Sequence, residues 1–581
     1  MIGFRRLVRT VGHLTPGQVL ARLALETRSR LPSALKRRAI QRWQTRGRPR
    51  LPAPVLSAQL PSFEGILAHW RSGNVRYLAL EADRFDWSLN PTSRLWTYER
   101  QYHSELPALA SASLVADCLA LVDSWSLACP AGTADAWDPY PVARRILNWS
   151  LAQALAPELG PALGDRLALQ IRYLANHLEW HLLGNHLICD LAALVAGTAM
   201  VEFEGADPIA LRAASLLQTE LRRQVLRDGG YAERTVQYHS LVLRDCLLAL
   251  LLSRTAIRPL GLAPQLSTMV TWLATVRRDG GFPYLNDASP DFDSVADDAL
   301  HLASLAGLNP AQVERGDVVL EHTGWIRVRE GEHELLFDSG ELGPPEQPGH
   351  GHADALSYEL WWNGVPVVID SGVSTYSPGE VRTFERSARA HACVSVDDES
   401  GDELWSSFRA GGRATIEVPG GVGRAGQART IYAQMRAYNG WRHRRQIIFW
   451  PGVALVVFDA VTDARRGADV LSRITLAPSW TPSGYQLTDS SGRQLAFHCL
   501  RGSDAGTVIG STQPYEGWLA RGFGERVPRP SIRIRADGGA CAYVISDPAA
   551  RVDFRDGSCA IRSPERVITV ELHPSLVEQF P

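Results

Sequence analysis

The chain has 581 residues, 45% of them hydrophobic and 21% charged, with 60 Lys/Arg against 62 Asp/Glu and a formal net charge of −2. That length exceeds one ordinary core, so two large domains are expected, and the near-even charge balance removes any general electrostatic case for nucleic acid. Lys36 is the only lysine, which confines Schiff-base or phosphate-loop lysine chemistry to one position in a basic tail, and the eight cysteines are scattered without a C-x-x-C pair, which suggests neither a zinc finger nor a disulfide framework.

Residues 1–55 read as a basic leader: the first fifty carry thirteen Lys/Arg and one acid, Glu26, and Pro49, Pro52 and Pro54 close it. A solvated helix lying on the main body is favoured over peripheral contact with an anionic membrane or a polyanion. The leader lacks an apolar h-region and a small-residue cleavage site, so a cytoplasmic location is expected, with the periplasm as the alternative. No apolar run is long enough to span a membrane; the closest, Leu187–Val201, is short and contains Asp190.

From 56 to 315 the pattern is helical. Ala110–Leu127, Pro141–Ala156, Gly164–Leu183, His186–Val201, Ile209–Arg227 and Ser240–Arg254 repeat apolar residues at three and four, with Gly or Pro in the gaps. Sequential helical hairpins, no strands and no fixed-length repeat predict an (α/α) toroid, an incomplete barrel of paired helices. From 316 to 581 the period becomes two, as in Trp325-Ile-Arg-Val-Arg, Glu334-Leu-Leu-Phe-Asp and Ser531-Ile-Arg-Ile-Arg, which predicts an antiparallel β-sandwich. The switch falls near Asn309–Asp317.

Three segments concentrate chemistry. Gly184-Asn185-His186 opens a helix, with Asn185 most simply an N-cap. Asp228-Gly-Gly-Tyr-Ala-Glu233-Arg234-Thr-Val-Gln-Tyr238-His239 leads from a glycine turn into a helix, and a spacing of four predicts that Arg234 and Tyr238 share a face. Gly349-His350-Gly351-His352-Ala353-Asp354 is a histidine loop followed by a hairpin about Asn363-Gly364 and then by Asp370 and His391. A two-residue turn puts Asp370 opposite Ser357. Only if 350–356 folds back do His352, Asp370 and His391 meet as two imidazoles and a carboxylate, a set compatible with zinc; hydrogen-bonded core histidines are the commoner reading.

These segments, in this order, resemble the heparinase II/III family of polysaccharide lyases with its alginate and oligoalginate lyase relatives. Trp137-Asp-Pro-Tyr-Pro-Val-Ala-Arg-Arg-Ile-Leu-Asn148-Trp149 is similar to a recurrent toroid segment of that family, and His350–Tyr376 is the most specific stretch. The resemblance implies an N-terminal toroid and a C-terminal sandwich. It implies that Asn185, helped by His186, neutralises the substrate carboxylate, that Tyr238 and His350 are the catalytic tyrosine and histidine, and that His352, Asp370 and His391 hold a structural zinc. Two departures stand out: Cys189 replaces a glutamate found in some members three residues after the Asn-His pair, and His391 is followed by Ala-Cys.

The implied activity is β-elimination on uronic-acid-containing glycans, giving 4,5-unsaturated products, with an acidic polysaccharide or oligosaccharide as partner. An exopolysaccharide or surface-glycan pathway served from the cytoplasmic side is the matching expectation. Trp180, Arg234, Tyr284 and Trp405 are the expected sugar-binding residues, Arg234 also as a cation to assist Tyr238. Two other readings stand beside it: a toroid glycoside hydrolase with Glu233 opposed to Asp287 or Asp291, and a non-catalytic glycan-binding or assembly protein.

Overall fold

The structure is a computed structural model that describes residues 3–30, 32–50, 59–88, 93–253, 261–278, 281–311 and 316–580. Pro52 and Pro54, expected to close the leader, and part of the Asn309–Asp317 switch lie outside these residues. The leader forms α1 (Phe4–Gly12), α2 (Pro16–Ser29) and α3 (Ser33–Gln41). The toroid follows with α4 (Phe63–Arg71), α5 (Arg94–Arg100), α6 (Glu105–Ser111), α7 (Val115–Ala128), α8 (Pro139–Leu155), α9 (Gly160–Ala175), α10 (Gly184–Met200), α11 (Ala206–Gln224), α12 (Val236–Ser253), α13 (Ala263–Val276) and α14 (Asp293–Ala306).

Alternate helices make the inner ring. Each of α4, α6, α8, α10, α12 and α14 packs on the next, and the Ser62 hydroxyl, just before α4, donates to Asp298 on α14 at 2.7 Å to bring the two ends together. A helix enclosed on all sides loses its polar face, and α8, α10 and α12 are buried along nearly their whole length while α11 keeps an exposed side. The same enclosure explains why α12 is apolar and long enough by composition to cross a membrane, yet has 94% of that window buried in the protein.

Three expectations about this half change. Ala110–Leu127 is two helices, broken at Ser113 with φ of 59°. Asn74–Tyr77 and Leu80–Asp83 form a hairpin in the mainly helical part, with Val75 and Tyr77 as its buried alternation, and Val201–Glu202 pairs with Arg48–Pro49 of the leader. Finally, α9 stops at Ala175, not Leu183, and the freed segment 176–183 becomes a loop that reaches the cleft.

The β half is a sandwich with an extra layer. A five-stranded sheet (Val318–Leu320, Trp325–Glu330, His333–Asp338, Tyr358–Trp362, Val365–Val368) and a four-stranded sheet (Val394–Val396, Val470–Thr475, Pro530–Arg535, Ser503–Ile509) face an eight-stranded antiparallel sheet built around Arg442–Trp450, Ala454–Thr462 and Ala540–Ser546. Successive side chains of a strand point to opposite faces. Ile447, Phe449, Leu455 and Val457 therefore fill the sandwich, while Ile448, Trp450, Val456 and Phe458 pack on the other side against Ile561, Val570 and Phe580 of the C-terminal segment. Burial on both faces accounts for the unbroken apolar runs there.

The leader lies on both halves. The Glu403 carboxylate accepts from Arg6 Nε at 3.1 Å and Arg9 Nη2 at 2.6 Å, whereas further on Gly47 N donates to Asp165 at 2.7 Å and Arg50 N to Met200 O at 2.9 Å, on the toroid side.

Candidate active site

Between toroid and sandwich lies a cavity of about 2970 Å³ that Asn185, His186, Tyr238, His350, Trp180 and Tyr376 help to line. The sharp turn into α10 sets the first of these. Leu183 has φ of 63° and Gly184 φ of 57°, and a side chain on Gly184 would meet Gln347 Cδ and Glu233 Oε1 at 2.8 Å, so only glycine admits this approach. Asn185 is thus the second helical residue, not the N-cap; no side chain caps the helix. Its side chain is buried and Oδ1 has no partner, a costly state that a ligand in the cleft would relieve.

Beside it, His186 Nδ1 lies 2.9 Å from Glu179 Oε2, on the loop released by the early end of α9. Burial disfavours the charged imidazole, but the Glu179 carboxylate outweighs burial and raises the His186 pKa above its ordinary value. His186 thus stands with a Glu179-polarised imidazole on the same wall of the cleft as the Asn185 amide.

Tyr238 stands in the first turn of α12 and His350 in the irregular segment before Tyr358–Trp362. Their rings stack at 3.6 Å between centroids with planes 11° apart, and Tyr238 and Tyr376 share a hydrogen bond of 2.8 Å between their hydroxyls. Burial first, then Tyr376 and Asp287, push the Tyr238 phenol well above its ordinary pKa, so it is a proton donor at neutral pH. His350 Nδ1 bonds to Glu233 Oε2. The other Glu233 oxygen accepts from Tyr231 OH at 3.1 Å and from Asn185 N at 3.3 Å. An imidazole whose Nδ1–H donates to a carboxylate keeps Nε2 as its basic nitrogen, so Glu233 sets the tautomer of His350 and ties it to the start of α10.

Three histidine-loop predictions resolve in the geometry. Residues 350–356 do fold back, and ligand atoms of His352, Asp370 and His391 lie within 4.8 Å of one another. Asp370 is not opposite Ser357: a bulge between Leu360 and Trp361 shifts the register and the strand ends at Val368. Finally, Asn363 and Gly364 adopt positive φ of 48° and 71°, the turn that this dipeptide favours in a hairpin.

The residues fit a metal. His352 Nε2 is held by Asp287 Oδ1 at 2.8 Å and His391 Nδ1 by Asp370 Oδ2 at 2.6 Å, leaving His352 Nδ1 and His391 Nε2 buried without a partner. Burial, only partly offset by Asp287, pushes the His352 pKa down to about 4, which keeps the neutral imidazole that metals require. Asp287 orients His352 as a carboxylate behind a metal-binding histidine does, and is itself clamped by Arg382 Nη1 and Nη2 at 2.5 and 2.8 Å. The same loop is pinned by Arg386, which donates to Gly351 O at 3.0 Å, and by Asp287 N, which donates to His350 O at 3.0 Å.

Of the four expected sugar-binding residues, only Trp180 lines the cleft. Arg234 precedes α12 with φ of 53°, so it shares no helical face with Tyr238, and its guanidinium donates to Glu341 O at 2.7 Å. Tyr284 donates to Asp293 at 2.8 Å, and Trp405 Nε1 donates to Thr10 at 3.1 Å under the leader. These three latch structure together. The Glu233–Asp287 pair is not poised for hydrolysis: Asp287 is fully buried between Arg382 and His352, and Glu233 bonds to His350, Tyr231 and Asn185. Asp291, the other expected partner, lines the cleft and accepts from Phe523 N at 2.6 Å. Glu179, Tyr376 and Arg382 escaped sequence reasoning as site residues. Their only signals were position, beside Trp180-His181 and within the stretch after Asp370.

Two family models match the chain, the heparinase II/III N-terminus over residues 123–300 and the heparinase II/III-like C-terminal domain over residues 313–560. Among solved structures, the chain is similar to heparinase III, at 13% identity and a TM-score of 0.68 over 97% of this chain and 99% of that one. It is also similar to the heparan sulfate lyase HepC of Pedobacter heparinus, at 16% identity and a TM-score of 0.56 over 93% of each chain. No curated protein sequence matches significantly. With both halves matched in order, the chain belongs to the heparinase II/III-like family of polysaccharide lyases.

Proposed function

We propose that the protein cleaves uronic-acid-containing glycans by β-elimination. The observation that carries this reading is the convergence of the Asn185 amide, the Tyr238 hydroxyl and the Glu233-bound His350 on one cleft, with the tyrosine and histidine rings in contact. In such a reaction the proton α to the carboxylate leaves to a base, the bond from C4 to the glycosidic oxygen breaks, and that oxygen takes a proton. The product end carries a 4,5 double bond.

Removing the α proton loads a second negative charge on the carboxylate. The Asn185 amide and the His186 imidazole oppose that charge, and one such donor contributes about 3–4 kcal/mol in other enzymes. The Glu233 contact at Nδ1 leaves Nε2 of His350 to serve as the base, and the raised phenol pKa suits Tyr238 as the acid on the departing oxygen. Trp180 supplies a stacking surface. Arg22 adds positive charge to the cleft; its pKa is lowered by burial and by the neighbouring Arg409, a strain that an acidic glycan relieves.

A panel of uronate polymers and oligosaccharides, followed by ultraviolet absorbance of the conjugated C=C bond, tests this. The expected result is rising absorbance with new reducing ends in step. Reducing ends without absorbance would replace the lyase reading with hydrolysis.

We infer further that zinc occupies the His352–Asp370–His391 site and braces the loop bearing His350. Metal binding to the folded form stabilises it by mass action. Chelation should therefore lower the melting temperature of the native protein. His352→Ala should abolish stoichiometric metal, melt earlier and show no further response to chelator. Metal retained at one equivalent in that variant would refute the ligand assignment whatever its activity.

A further inference from the structure

The leader is folded inside out. On α1, Arg6, Arg9 and Thr10 are turned to the protein, the two arginines paired with Glu403 and Thr10 buried beside Trp405. Its apolar residues face solvent: Phe4 is 79% exposed, Leu7 46%, Val8 53% and Val11 48%. These positions recur at three and four, one stripe of a helix. On α2, Ala21, Arg22, Ala24 and Leu25 lie along the cleft, while Leu20 and Leu23 are exposed at 67% and 60%. Of the twenty large apolar side chains exposed among the described residues, nine lie between Phe4 and Leu35. A folded protein rarely concentrates them so without a partner.

Charge selects that partner. Thirteen of the sixty basic residues but only one of the sixty-two acidic ones lie in the first fifty positions, so the leader carries +12 and the rest of the chain −14. Arg5, Arg37, Arg38, Arg42, Arg46 and Arg48 are exposed and pair with no carboxylate among the described residues. A second copy docked leader to leader would bring like charge together and be repelled. A surface that is apolar and anionic together is a bilayer with acidic headgroups.

We propose that α1 and α2 form a peripheral docking surface for an anionic lipid bilayer, with Phe4, Leu7, Val8, Leu20 and Leu23 entering the acyl boundary and the arginines meeting headgroup phosphates. The cleft opens beside α2, so docking places its mouth near the membrane surface. This inference is independent of the reaction catalysed.

The test is co-sedimentation of the full chain with vesicles of phosphatidylcholine alone and of phosphatidylcholine with about one third phosphatidylglycerol. Binding is expected only to the anionic vesicles, to weaken with salt, and to fall at least tenfold in Leu7→Glu/Val8→Glu/Leu20→Glu/Leu23→Glu, whose melting temperature stays near that of the native chain. Equal binding by that variant would overturn the apolar insertion. No binding to anionic vesicles, or a dimer in sedimentation velocity that the same substitutions dissolve, would overturn the membrane as the occupant.

Discussion

Tyr238→Phe should lower kcat/KM by about 10²–10⁴-fold, the usual worth of a positioned proton carrier, while the protein melts within a few degrees of the native chain. The substitution removes one oxygen and leaves the aromatic ring stacked on His350, so packing is kept. The lost hydrogen bond is to Tyr376, whose hydroxyl retains Gln237 Nε2 at 3.3 Å, and one net hydrogen bond is worth about 1 kcal/mol. Activity and stability therefore separate, which a merely structural tyrosine would not allow. The variant also identifies the role. Fluoride departs from C4 without a proton, so a 4-fluoro uronoside needs the base but not the acid. If Tyr238 is the acid, Tyr238→Phe should turn that substrate over nearly as fast as the native enzyme; an equal loss on both substrates would make Tyr238 the base, and near-native turnover of the glycan would remove it from the chemistry.

Such a test could be designed because parts of the site are legible in the chain and others are not. Asn185, His186, Tyr238 and His350 stand near helix starts and glycine turns, where local sequence signals are strong, and they meet in one cleft. The helical toroid and the antiparallel sandwich likewise follow from periods of three to four and of two, whereas the strand order does not. What stayed hidden is whatever depends on a loop's path. Asp370 reaches the histidines because of a one-residue bulge, and nothing in the strand pattern announces a bulge. Helical periodicity carries α9 on to Leu183, whereas the chain leaves the helix at Ala175 and so delivers Glu179 to His186. Tyr284 and Trp405 stand out by residue type and Arg234 by its spacing from Tyr238, and neither signal distinguishes a substrate contact from a latch; their hydrogen-bond partners do. Glu233 enters the sequence reading only through the alternative hydrolytic pair, because a lone carboxylate in sequence gives no hint of what it faces.

That carboxylate supports the second large prediction. Glu233→Gln should cost about 10²–10⁴-fold in kcat/KM although Glu233 itself touches no substrate atom in the proposed mechanism. One Glu233 oxygen serves Asn185 N and Tyr231 OH, and the glutamine carbonyl can keep that place. The other faces His350 Nδ1, where the glutamine presents NH₂. Two donors cannot share a hydrogen bond, so the imidazole must move its proton to Nε2 or turn away, and either change withdraws the basic nitrogen. The corresponding carboxylate-to-amide exchange behind a triad histidine costs on the order of 10⁴ for the same reason. Because Glu233 acts through His350, the losses should not add: Glu233→Gln combined with His350→Ala should be no slower than His350→Ala alone. KM should change little, since Asn185 keeps its backbone bond. Multiplying losses in the double variant would mean that Glu233 acts independently, through the start of α10, and that His350 draws its orientation from the loop held by Arg386 and Asp287.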